Sequence, residues 1–276
     1  MNLVDNAPKP FVKWAGGKRQ LLNQLVENLP EDFNNYQEFF VGGGALYFKL
    51  WNLGRIKKAV LNDSNKELVN TYLMVKDKLS ELIEELKQNS KYKNDATVFY
   101  QIRASEPEEK IERAARFIYL NKTAFNGLHR VNRSGKFNVP FGRYTNPKIL
   151  DEENLIVVSE ALRHVKVLNT DFTGVLDYAK RDDFAYFDPP YYPLTPTASF
   201  TSYTSNDFSA KDQERLRNTV DKLTGMKVKV MVSNSYTDFI MDLYKNYQQL
   251  EVHATRAISC KAETRGKVSE LVLMNW

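Results

Sequence analysis

The chain has 276 residues, of which 42% are hydrophobic and 26% are charged, with a formal net charge of +5. This composition is typical of a soluble globular protein, and the length predicts one large domain or a core fold that carries an insertion. No apolar run approaches the ~18 residues that a membrane helix needs, which excludes a transmembrane protein. One cysteine, Cys260, and three scattered histidines offer neither a zinc site nor a disulfide. The N-terminus lacks the pattern of a signal peptide, so we expect a cytoplasmic protein.

Seven short apolar runs rich in Val, Tyr and Phe predict β-strands. They span residues 36–41, 58–61, 165–168, 184–187, 228–232, 250–253 and 269–274. Helical patterns at 18–28, 45–53, 212–223 and 236–245 lie between several of these runs. Because strands and helices alternate in the first and last thirds of the chain, we expect an α/β fold with a mostly parallel sheet and helices on both faces.

The middle third breaks this alternation. Long amphipathic helices are predicted over 66–85 and 108–121 with no strand between them, which indicates a helical insertion. Residues 126–142, called the basic segment below, carry Asn-Gly and Ser-Gly pairs that predict a β-hairpin. Between positions 113 and 148 the chain has eight basic residues and no acidic one, a local charge of +8. This concentration of positive charge is what a phosphate-binding surface requires.

A glycine-rich turn follows the first predicted strand. Gly42, Gly43 and Gly44 open a helix, and Asp63 ends the next apolar run, where an acidic residue can bind the two hydroxyls of a ribose. A tight turn with a helix-capping Asp is the structural alternative. The earlier Gly-Gly-Lys at 16–18 does not match a phosphate-binding P-loop, because Arg19 stands where Ser or Thr is needed.

The tetrad Asp188-Pro189-Pro190-Tyr191 closes the apolar run 184–187. Ligands of an open parallel sheet bind at the carboxyl ends of its strands. Proline has no N–H, so the Pro189 carbonyl is available to accept a hydrogen bond beside the Asp188 carboxylate. Two adjacent acceptors suit an exocyclic amino group, and the Tyr191 ring can stack on a planar base. The tetrad therefore indicates recognition of an amino-bearing base.

These motifs together resemble one enzyme family. In chain order they are Phe-x-Lys-Trp-x-Gly-Gly-Lys at 11–18, Phe-x-Gly-Gly-Gly at 40–44, Asn-Gly-Leu-x-Arg-x-Asn at 126–132 with Phe-Asn-Val-Pro-Phe-Gly-Arg-Tyr at 137–144, and Asp-Pro-Pro-Tyr at 188–191. Over nearly its whole length the chain resembles the adenine-N6 DNA methyltransferases of the DNA adenine methylase type. It is most similar to the methylases of DpnII-like restriction systems, which act on GATC.

The resemblance implies a Rossmann-like methyltransferase fold that uses S-adenosylmethionine (SAM) and no metal. Residues 1–65 and 165–276 would form the catalytic domain, and 66–164 an inserted helical target-recognition domain with a basic β-hairpin. The implied SAM-binding residues are Trp14, Ala15, Gly16, Lys18, Phe40, Gly42, Gly43, Gly44, Asp63, Asp171, Phe172 and Asp188.

The resemblance also implies a catalytic mechanism, carried by Asp188, Pro189, Pro190 and Tyr191. The target adenine is flipped out of duplex DNA and stacks on Tyr191. Asp188 and the Pro189 carbonyl accept its N6 hydrogens, which localises the lone pair of a nitrogen that is otherwise a poor nucleophile. Orientation and electrostatics then accelerate methyl transfer without a covalent intermediate.

A third implication concerns the bases and phosphates of the DNA. The implied DNA-binding residues are Lys13, Phe125, Asn126, Leu128, Arg130, Asn132, Arg133, Lys136, Pro140, Arg143 and Tyr144. Arg130 would read a guanine, Leu128 and Pro140 would contact thymine methyls, and Lys13 would lie near the outer base pair. Phe125 and Asn126 would fill the gap near the flipped base and Tyr144 would stack nearby, while Arg133, Lys136 and Arg143 would contact phosphates.

Two departures and two alternatives remain open. Phe39 stands where the family has Pro, so a rigid backbone angle is lost before the glycine loop, and Tyr192 is bulkier than the residue expected after the tetrad. N4-cytosine DNA methylation uses the same chemistry but more often has Ser at the first tetrad position. A non-catalytic DNA-binding module is the other alternative. We expect an enzyme of bacterial or phage origin that acts as a monomer, with a cognate restriction endonuclease as its functional partner.

Overall fold

A computed structural model describes residues 7–132, 134–194, 208–255 and 267–276, so Arg133 and Cys260 lie outside the described chain. Its centre is a seven-stranded sheet. The strands are β1 (Tyr36–Glu38), β2 (Ala59–Asn62), β3 (Val165–Leu168), β4 (Phe184–Phe187), β5 (Lys229–Ser235), β6 (Gln248–Thr255) and β7 (Lys267–Met274). They lie in the order β3-β2-β1-β4-β5-β7-β6, and each overlaps one of the seven runs from which a strand was predicted.

The helices flank this sheet. They are α1 (Leu22–Glu27), α2 (Ala45–Asn52), α3 (Lys66–Asp77), α4 (Leu79–Leu86), α5 (Ala96–Ala104), α6 (Lys110–Thr123), α7 (Glu152–Leu162), α8 (Ala210–Gly225) and α9 (Asp238–Leu243). Within the described ranges, none of them has the length and apolarity to cross a membrane. The prediction of a single helix over 66–85 is wrong, because the backbone at Lys78 leaves the helical region with φ −140° and ψ 38°.

The strand order places a crevice at the carboxyl ends of the parallel strands. β1 pairs in parallel with both β2 and β4, so the chain builds outward from β1 in one direction and then crosses to build in the other. β7 lies between β5 and β6 and runs antiparallel to both. Open α/β sheets bind their ligands at such a reversal.

Both faces of the sheet are covered. Along β4, Phe184 and Tyr186 belong to one hydrophobic cluster, and Ala185 and Phe187 belong to another. The first cluster contains residues of α1 to α7, and the second contains residues of α8 and α9. Strands buried on both sides read as continuous apolar runs, as the sequence does here. The predicted α/β fold with helices on both faces is confirmed.

The helices of segment 66–164 share the first cluster with the sheet. Tyr72 of α3 and Tyr119 of α6 are fully buried in the same cluster as Tyr36 of β1. Asn65 caps α3 by accepting hydrogen bonds from the backbone N–H groups of Glu67 and Leu68. The segment therefore packs directly on the sheet.

In the described parts of the basic segment, 126–132 and 134–142, isolated bridges stand in place of the paired strands of the predicted β-hairpin. Val131 and Phe137 form an isolated antiparallel bridge, and the Asn138 N–H donates to the Arg130 carbonyl. The Asn132 side chain takes up the next backbone donors, Ser134 N–H and Lys136 N–H. The Asn132 side chain therefore closes the turn with local hydrogen bonds, a pattern that competes with strand pairing within the turn.

Candidate active site

Four parallel strands end at one edge of the sheet, and a predicted site residue follows each of them. Phe40 follows β1, Asp63 follows β2, Asp171 follows β3 and Asp188 follows β4. Their strands pair in register, so these positions form one rim. The sequence motifs therefore converge on the crevice that the strand order creates.

The glycine loop is shaped by a close approach to Trp14. Gly42 has φ +48°, and a Cβ atom placed on it would lie 2.5 Å from Trp14 Cδ1. Gly44 has φ +70° and caps α2, and a Cβ there would lie 2.8 Å from the Tyr72 hydroxyl oxygen. Both positions thus require glycine for conformation and for space. Gly43 is less crowded, with Trp14 Cβ at 3.5 Å.

Asp63 ties the end of β2 to this loop. Its Oδ2 accepts a hydrogen bond of 3.0 Å from the Gly42 N–H, and its Oδ1 accepts one of 2.9 Å from the Asn65 N–H. Burial raises the pKa of Asp63, and these two backbone donors oppose that rise. Each carboxylate oxygen can accept a further bond, so the group retains capacity for a ligand hydroxyl.

Trp14 joins the N-terminal motif to the basic segment. Its ring stacks on His129, with centroids 5.5 Å apart, and His129 also contacts Phe117 at 5.2 Å. Burial lowers the pKa of His129 to about 4, so its ring is neutral near pH 7. Ala15 is half-buried beside Trp14, and Gly16 turns the chain with φ +75°.

Aromatic side chains line the rim next to β3. The Phe40 ring stacks on Phe172 with centroids 5.5 Å apart and meets Phe208 edge-on at 5.7 Å. The exposed Asp171 accepts a hydrogen bond of 3.0 Å from Arg215 Nη2. Burial raises its pKa, but bonds from Thr173 and Arg215 outweigh burial and lower it overall. This part of the rim combines an apolar platform with an ionised carboxylate.

Lys18 brings the N-terminal motif onto the tetrad. Its Nζ lies 2.7 Å from Asp188 Oδ1 and 4.5 Å from the centroid of the Tyr191 ring, and it donates to the Gly16 carbonyl at 3.0 Å. Burial raises the pKa of Asp188 to about 6, and the ammonium of Lys18 opposes that rise. The Asp188 carboxylate is therefore mostly ionised at neutral pH.

The carbonyl groups of the two prolines in the tetrad differ in their hydrogen bonds. Among the described residues nothing donates a hydrogen bond to the Pro189 carbonyl, whereas the Pro190 carbonyl accepts one of 3.0 Å from Gln213 Nε2. The Tyr191 hydroxyl donates to Glu270 Oε2 on β7. The Pro190 carbonyl and the Tyr191 hydroxyl are thus held by other parts of the protein. The Pro189 carbonyl and the Asp188 carboxylate remain as hydrogen-bond acceptors for a ligand.

Glu38 is a buried acid at the end of β1 to which the sequence analysis assigned no role. Burial raises its pKa to about 8, a hydrogen bond of 2.9 Å from the Tyr36 hydroxyl opposes this, and the nearby Asp188 and Asp63 add to it. Glu38 therefore stays protonated in the folded protein at neutral pH, although it ionises in the unfolded chain.

We expect Glu38→Gln to stabilise the fold at alkaline pH. Between the unfolded pKa near 4.5 and the folded pKa of about 8, the unfolded chain binds fewer protons, so the free energy of unfolding of the natural protein falls as pH rises. Each unit of difference corresponds to about 1.4 kcal/mol. Thermal unfolding should show similar midpoints at pH 5 and a higher midpoint for Glu38→Gln at pH 9. Parallel curves for both proteins would contradict the raised pKa.

Several predicted DNA-binding residues at and beside the basic segment contact one another in pairs. Lys13 Nζ lies 4.3 Å from the centroid of the Tyr144 ring. Phe125 is half exposed, and its N–H donates to the Pro140 carbonyl at 2.9 Å. Asn126 adopts φ +54°, a left-handed conformation that asparagine tolerates, and it is exposed. Lys13, Phe125, Asn126 and Pro140 are exposed, and Tyr144 is half-buried.

The remaining predicted DNA-binding residues occupy varied environments. Arg130 donates from Nε to Asn138 Oδ1 at 2.8 Å, and Lys136 pairs with Glu106 at 2.6 Å. Asn132 caps the turn of the basic segment. Leu128 is partly buried against the core cluster, and Arg143 is exposed with φ +55°. Arg133 lies outside the described residues.

Sequence reasoning missed Asn121, which joins the N-terminal motif to the basic segment. Asn121 of α6 is buried, accepts the Lys13 N–H at 2.7 Å and donates to the carbonyls of Lys13 and Gly127. A Cβ on Gly127 would lie 2.2 Å from Lys13 Cδ, so the backbone at Gly127 packs closely against the Lys13 side chain. The available signal was an isolated polar residue on the apolar face of a predicted helix, which marks a buried hydrogen bond.

The sequence matches known proteins over nearly its whole length. The model of the D12 class N6 adenine-specific DNA methyltransferases matches residues 14–258. A type II methyltransferase of Lactococcus lactis subsp. cremoris is 43% identical over 97% of this chain and 95% of its own length. A type II methyltransferase of Methanocaldococcus jannaschii is 44% identical over 97% of this chain and 99% of its own length. The DNA adenine methylase of Salmonella typhi is 33% identical over 96% of this chain and 95% of its own length. The chain therefore belongs to the D12 class of N6 adenine-specific DNA methyltransferases.

Proposed function

We propose that the protein transfers a methyl group from SAM to N6 of an adenine flipped out of duplex DNA, at the sequence GATC. The observation that carries this proposal is the cluster of Lys18, Asp188 and Tyr191 at the carboxyl end of β4. It combines an ionised acceptor, a neighbouring free carbonyl and an aromatic ring, which suit an exocyclic amino group on a planar base.

The residues of the rim fit SAM as the methyl donor. Asp63 has acceptor capacity for a ribose diol, the Gly42–Gly44 loop allows a ligand to approach the backbone closely at the start of α2, and Phe40 with Phe172 offers an apolar platform for an adenine ring. When bound, SAM supplies an electrophilic methyl group on a sulfonium. The Asp188 carboxylate, which is mostly ionised at neutral pH, complements that cation.

The tetrad would orient the amino group and polarise it. Asp188 and the Pro189 carbonyl each accept a hydrogen bond from one of the two N6 hydrogens. These two bonds direct the nitrogen lone pair away from the ring. The Tyr191 ring stacks on the base and fixes its plane. Lys18 keeps Asp188 ionised in a partly buried site, so the acceptor is ready before the base arrives. Positioning and preorganised charge thus supply the acceleration.

Recognition of the DNA would fall to segment 66–164, which we propose as the inserted target-recognition domain, with 1–65 and 165–276 as the catalytic domain. Arg130 reads a guanine, and its guanidinium is already oriented by Asn138. Pro140 and Leu128 contact thymine methyls. The Salmonella typhi relative is a DNA adenine methylase, and two relatives are type II methyltransferases, which supports a role beside a restriction endonuclease.

The proposal is tested with labelled SAM and duplex oligonucleotides that contain GATC or single-base variants of it. We expect label in N6-methyladenine, identified by nucleoside analysis, only where GATC is intact. N6-methyladenine in another sequence would overturn the assignment of the basic segment, and N4-methylcytosine would overturn the assignment of the base. Binding of SAM and DNA without any transfer would favour a non-catalytic module.

Lys136→Ala should weaken binding to all DNA sequences alike. Lys136 is 65% exposed and pairs with Glu106 at 2.6 Å, so a phosphate would take the place of that carboxylate on binding. Loss of one phosphate contact reduces the slope of log affinity against log salt by about one. Binding titrations at several salt concentrations measure this slope, with Lys245→Ala, just beyond the end of α9, as the exposed control. A loss confined to GATC would contradict a phosphate role.

A further inference from the structure

Two fully buried amide side chains are hydrogen-bonded to the backbone of the tetrad and of the residue that follows it. Gln213 lies in the first turns of α8, and Asn234 lies on β5, each with 0% of its surface exposed. Neither belongs to any of the four sequence motifs. Buried amides are costly unless their hydrogen bonds are made, so their partners show what they hold.

The two amides form a continuous chain of hydrogen bonds. The Tyr192 N–H donates to Asn234 Oδ1 at 3.1 Å, and Asn234 Nδ2 donates to Gln213 Oε1 at 2.9 Å. Gln213 Nε2 then donates to the Pro190 carbonyl at 3.0 Å. The chain therefore grips the backbone immediately before and immediately after Tyr191.

The direction of this chain is set by backbone donors. Asn234 Oδ1 accepts from both the Tyr192 N–H and the Ser235 N–H, the latter at 2.9 Å. The oxygen must face these two donors, which leaves Nδ2 to face Gln213. Gln213 must then present its oxygen to Asn234 and its nitrogen to the Pro190 carbonyl. No reversed arrangement satisfies every group.

The grip has a consequence for each part of the tetrad. The Pro190 carbonyl accepts from Gln213, while the Pro189 carbonyl accepts no hydrogen bond from the described residues. The Tyr191 ring is held at its far end by Glu270 and lies beneath the Lys18 ammonium. The ring is thus fixed by its backbone and by its hydroxyl before any base arrives.

We propose that Gln213 and Asn234 are positioning residues for methyl transfer, which set the plane of Tyr191 and the direction of the Pro189 carbonyl. This inference rests on the proposed function. Neither amide touches the reacting atoms. They act through the tetrad, so their loss should affect the orientation of the flipped base and leave the binding of SAM and of DNA largely intact.

Asn234→Asp tests the chain with almost no change of shape. The carboxylate still accepts from Tyr192 and Ser235, but it cannot donate to Gln213. Gln213 then turns its amide and presents an oxygen to the Pro190 carbonyl, and the two acceptors repel each other. Gln213→Glu directly removes the Nε2 group that donates to the Pro190 carbonyl. Because a displacement near 1 Å can cost about 10²-fold in rate, we expect kcat of both variants to fall about 10²-fold.

The matched control is Asn70→Asp. Asn70 of α3 is also buried, and its Nδ2 donates to the Lys110 carbonyl at 2.9 Å, far from the tetrad in the helical segment. It undergoes the same chemical change as Asn234→Asp. At a temperature where circular dichroism shows all proteins folded, the control should keep the natural kcat.

A second readout reports on stacking itself. DNA with 2-aminopurine in place of the target adenine fluoresces when that base leaves the duplex stack, and an aromatic ring quenches it. We expect a brighter complex with Asn234→Asp and Gln213→Glu than with the natural protein or Asn70→Asp. Dissociation constants for SAM and DNA should change little, so the loss appears in kcat.

The possible outcomes are distinct. Natural kcat and natural 2-aminopurine signal in folded Asn234→Asp and Gln213→Glu would overturn the positioning role. Losses that appear equally in Asn70→Asp, or entirely in SAM or DNA affinity, would also overturn it. If the natural protein itself transfers no methyl group, the proposed function fails instead, and that result is seen before any variant is made.

Discussion

Asp188→Asn should lower kcat by at least about 10²–10³-fold, the loss typical of removing one preorganised electrostatic group from an active site. The amide removes the negative charge and can turn an NH₂ group toward the N6 hydrogens, where an acceptor is needed. It also leaves the Lys18 ammonium, only 7% exposed, without its carboxylate partner at 2.7 Å. Single-turnover methyl transfer at saturating SAM and DNA measures this step.

Asp183→Asn is the matched control at the opposite end of the same strand. Asp183 precedes β4, is 1% exposed, and accepts hydrogen bonds from the Asn35 N–H and from Gln37 Nε2. Its substitution should lower the melting temperature but leave the turnover of folded enzyme near the natural value. Equal losses in both variants would indicate that Asp188 matters only for folding, and natural turnover in Asp188→Asn would remove it from the mechanism.

Arg130→Ala should relax discrimination at one guanine of the target by about 1–3 kcal/mol, or about 5- to 150-fold. The Arg130 guanidinium has five N–H donors, and the bond from Nε to Asn138 Oδ1 at 2.8 Å leaves donors for the guanine O6 and N7 atoms. Ratios of kcat/KM for GATC and for its single-base variants measure the discrimination at each position.

The loss of discrimination in Arg130→Ala should be confined to one base pair of the target. Arg181→Ala removes a 68% exposed arginine just before β4, at the amino edge of the sheet, and should leave every ratio unchanged. If Arg130→Ala weakened all sequences equally, Arg130 would be a phosphate contact. Unchanged ratios would remove Arg130 from the set of base-reading residues.

The sheet could be predicted because its strands are buried on both faces. β4 is an uninterrupted apolar run, and the acidic residues Asp188 and Asp63 follow the ends of β4 and β2, with two prolines directly after Asp188. Local patterns of this kind need no knowledge of distant contacts. The same reasoning found the crevice, since parallel strands share one carboxyl edge.

Other features depend on contacts that no local pattern reveals. The kink at Lys78 interrupts an amphipathic pattern that would suit one long helix. Asn121 binds Lys13, which lies 108 residues earlier, and Glu270 meets Tyr191 across 79 residues. Gln213 and Asn234 are single polar residues within an ordinary helix and strand. Their roles follow only from the partners that the fold brings to them.

The central claim is that Asp188 directs SAM-dependent N6 methylation of adenine in GATC. The most direct measurement maps N6-methyladenine at single-base resolution in plasmid DNA from a host without adenine methylation of its own, expressing either the natural protein or Asp188→Asn. We expect modification of both strands of GATC with the natural protein and none with Asp188→Asn. Modification at another sequence, or equal modification by the two proteins, would contradict the claim.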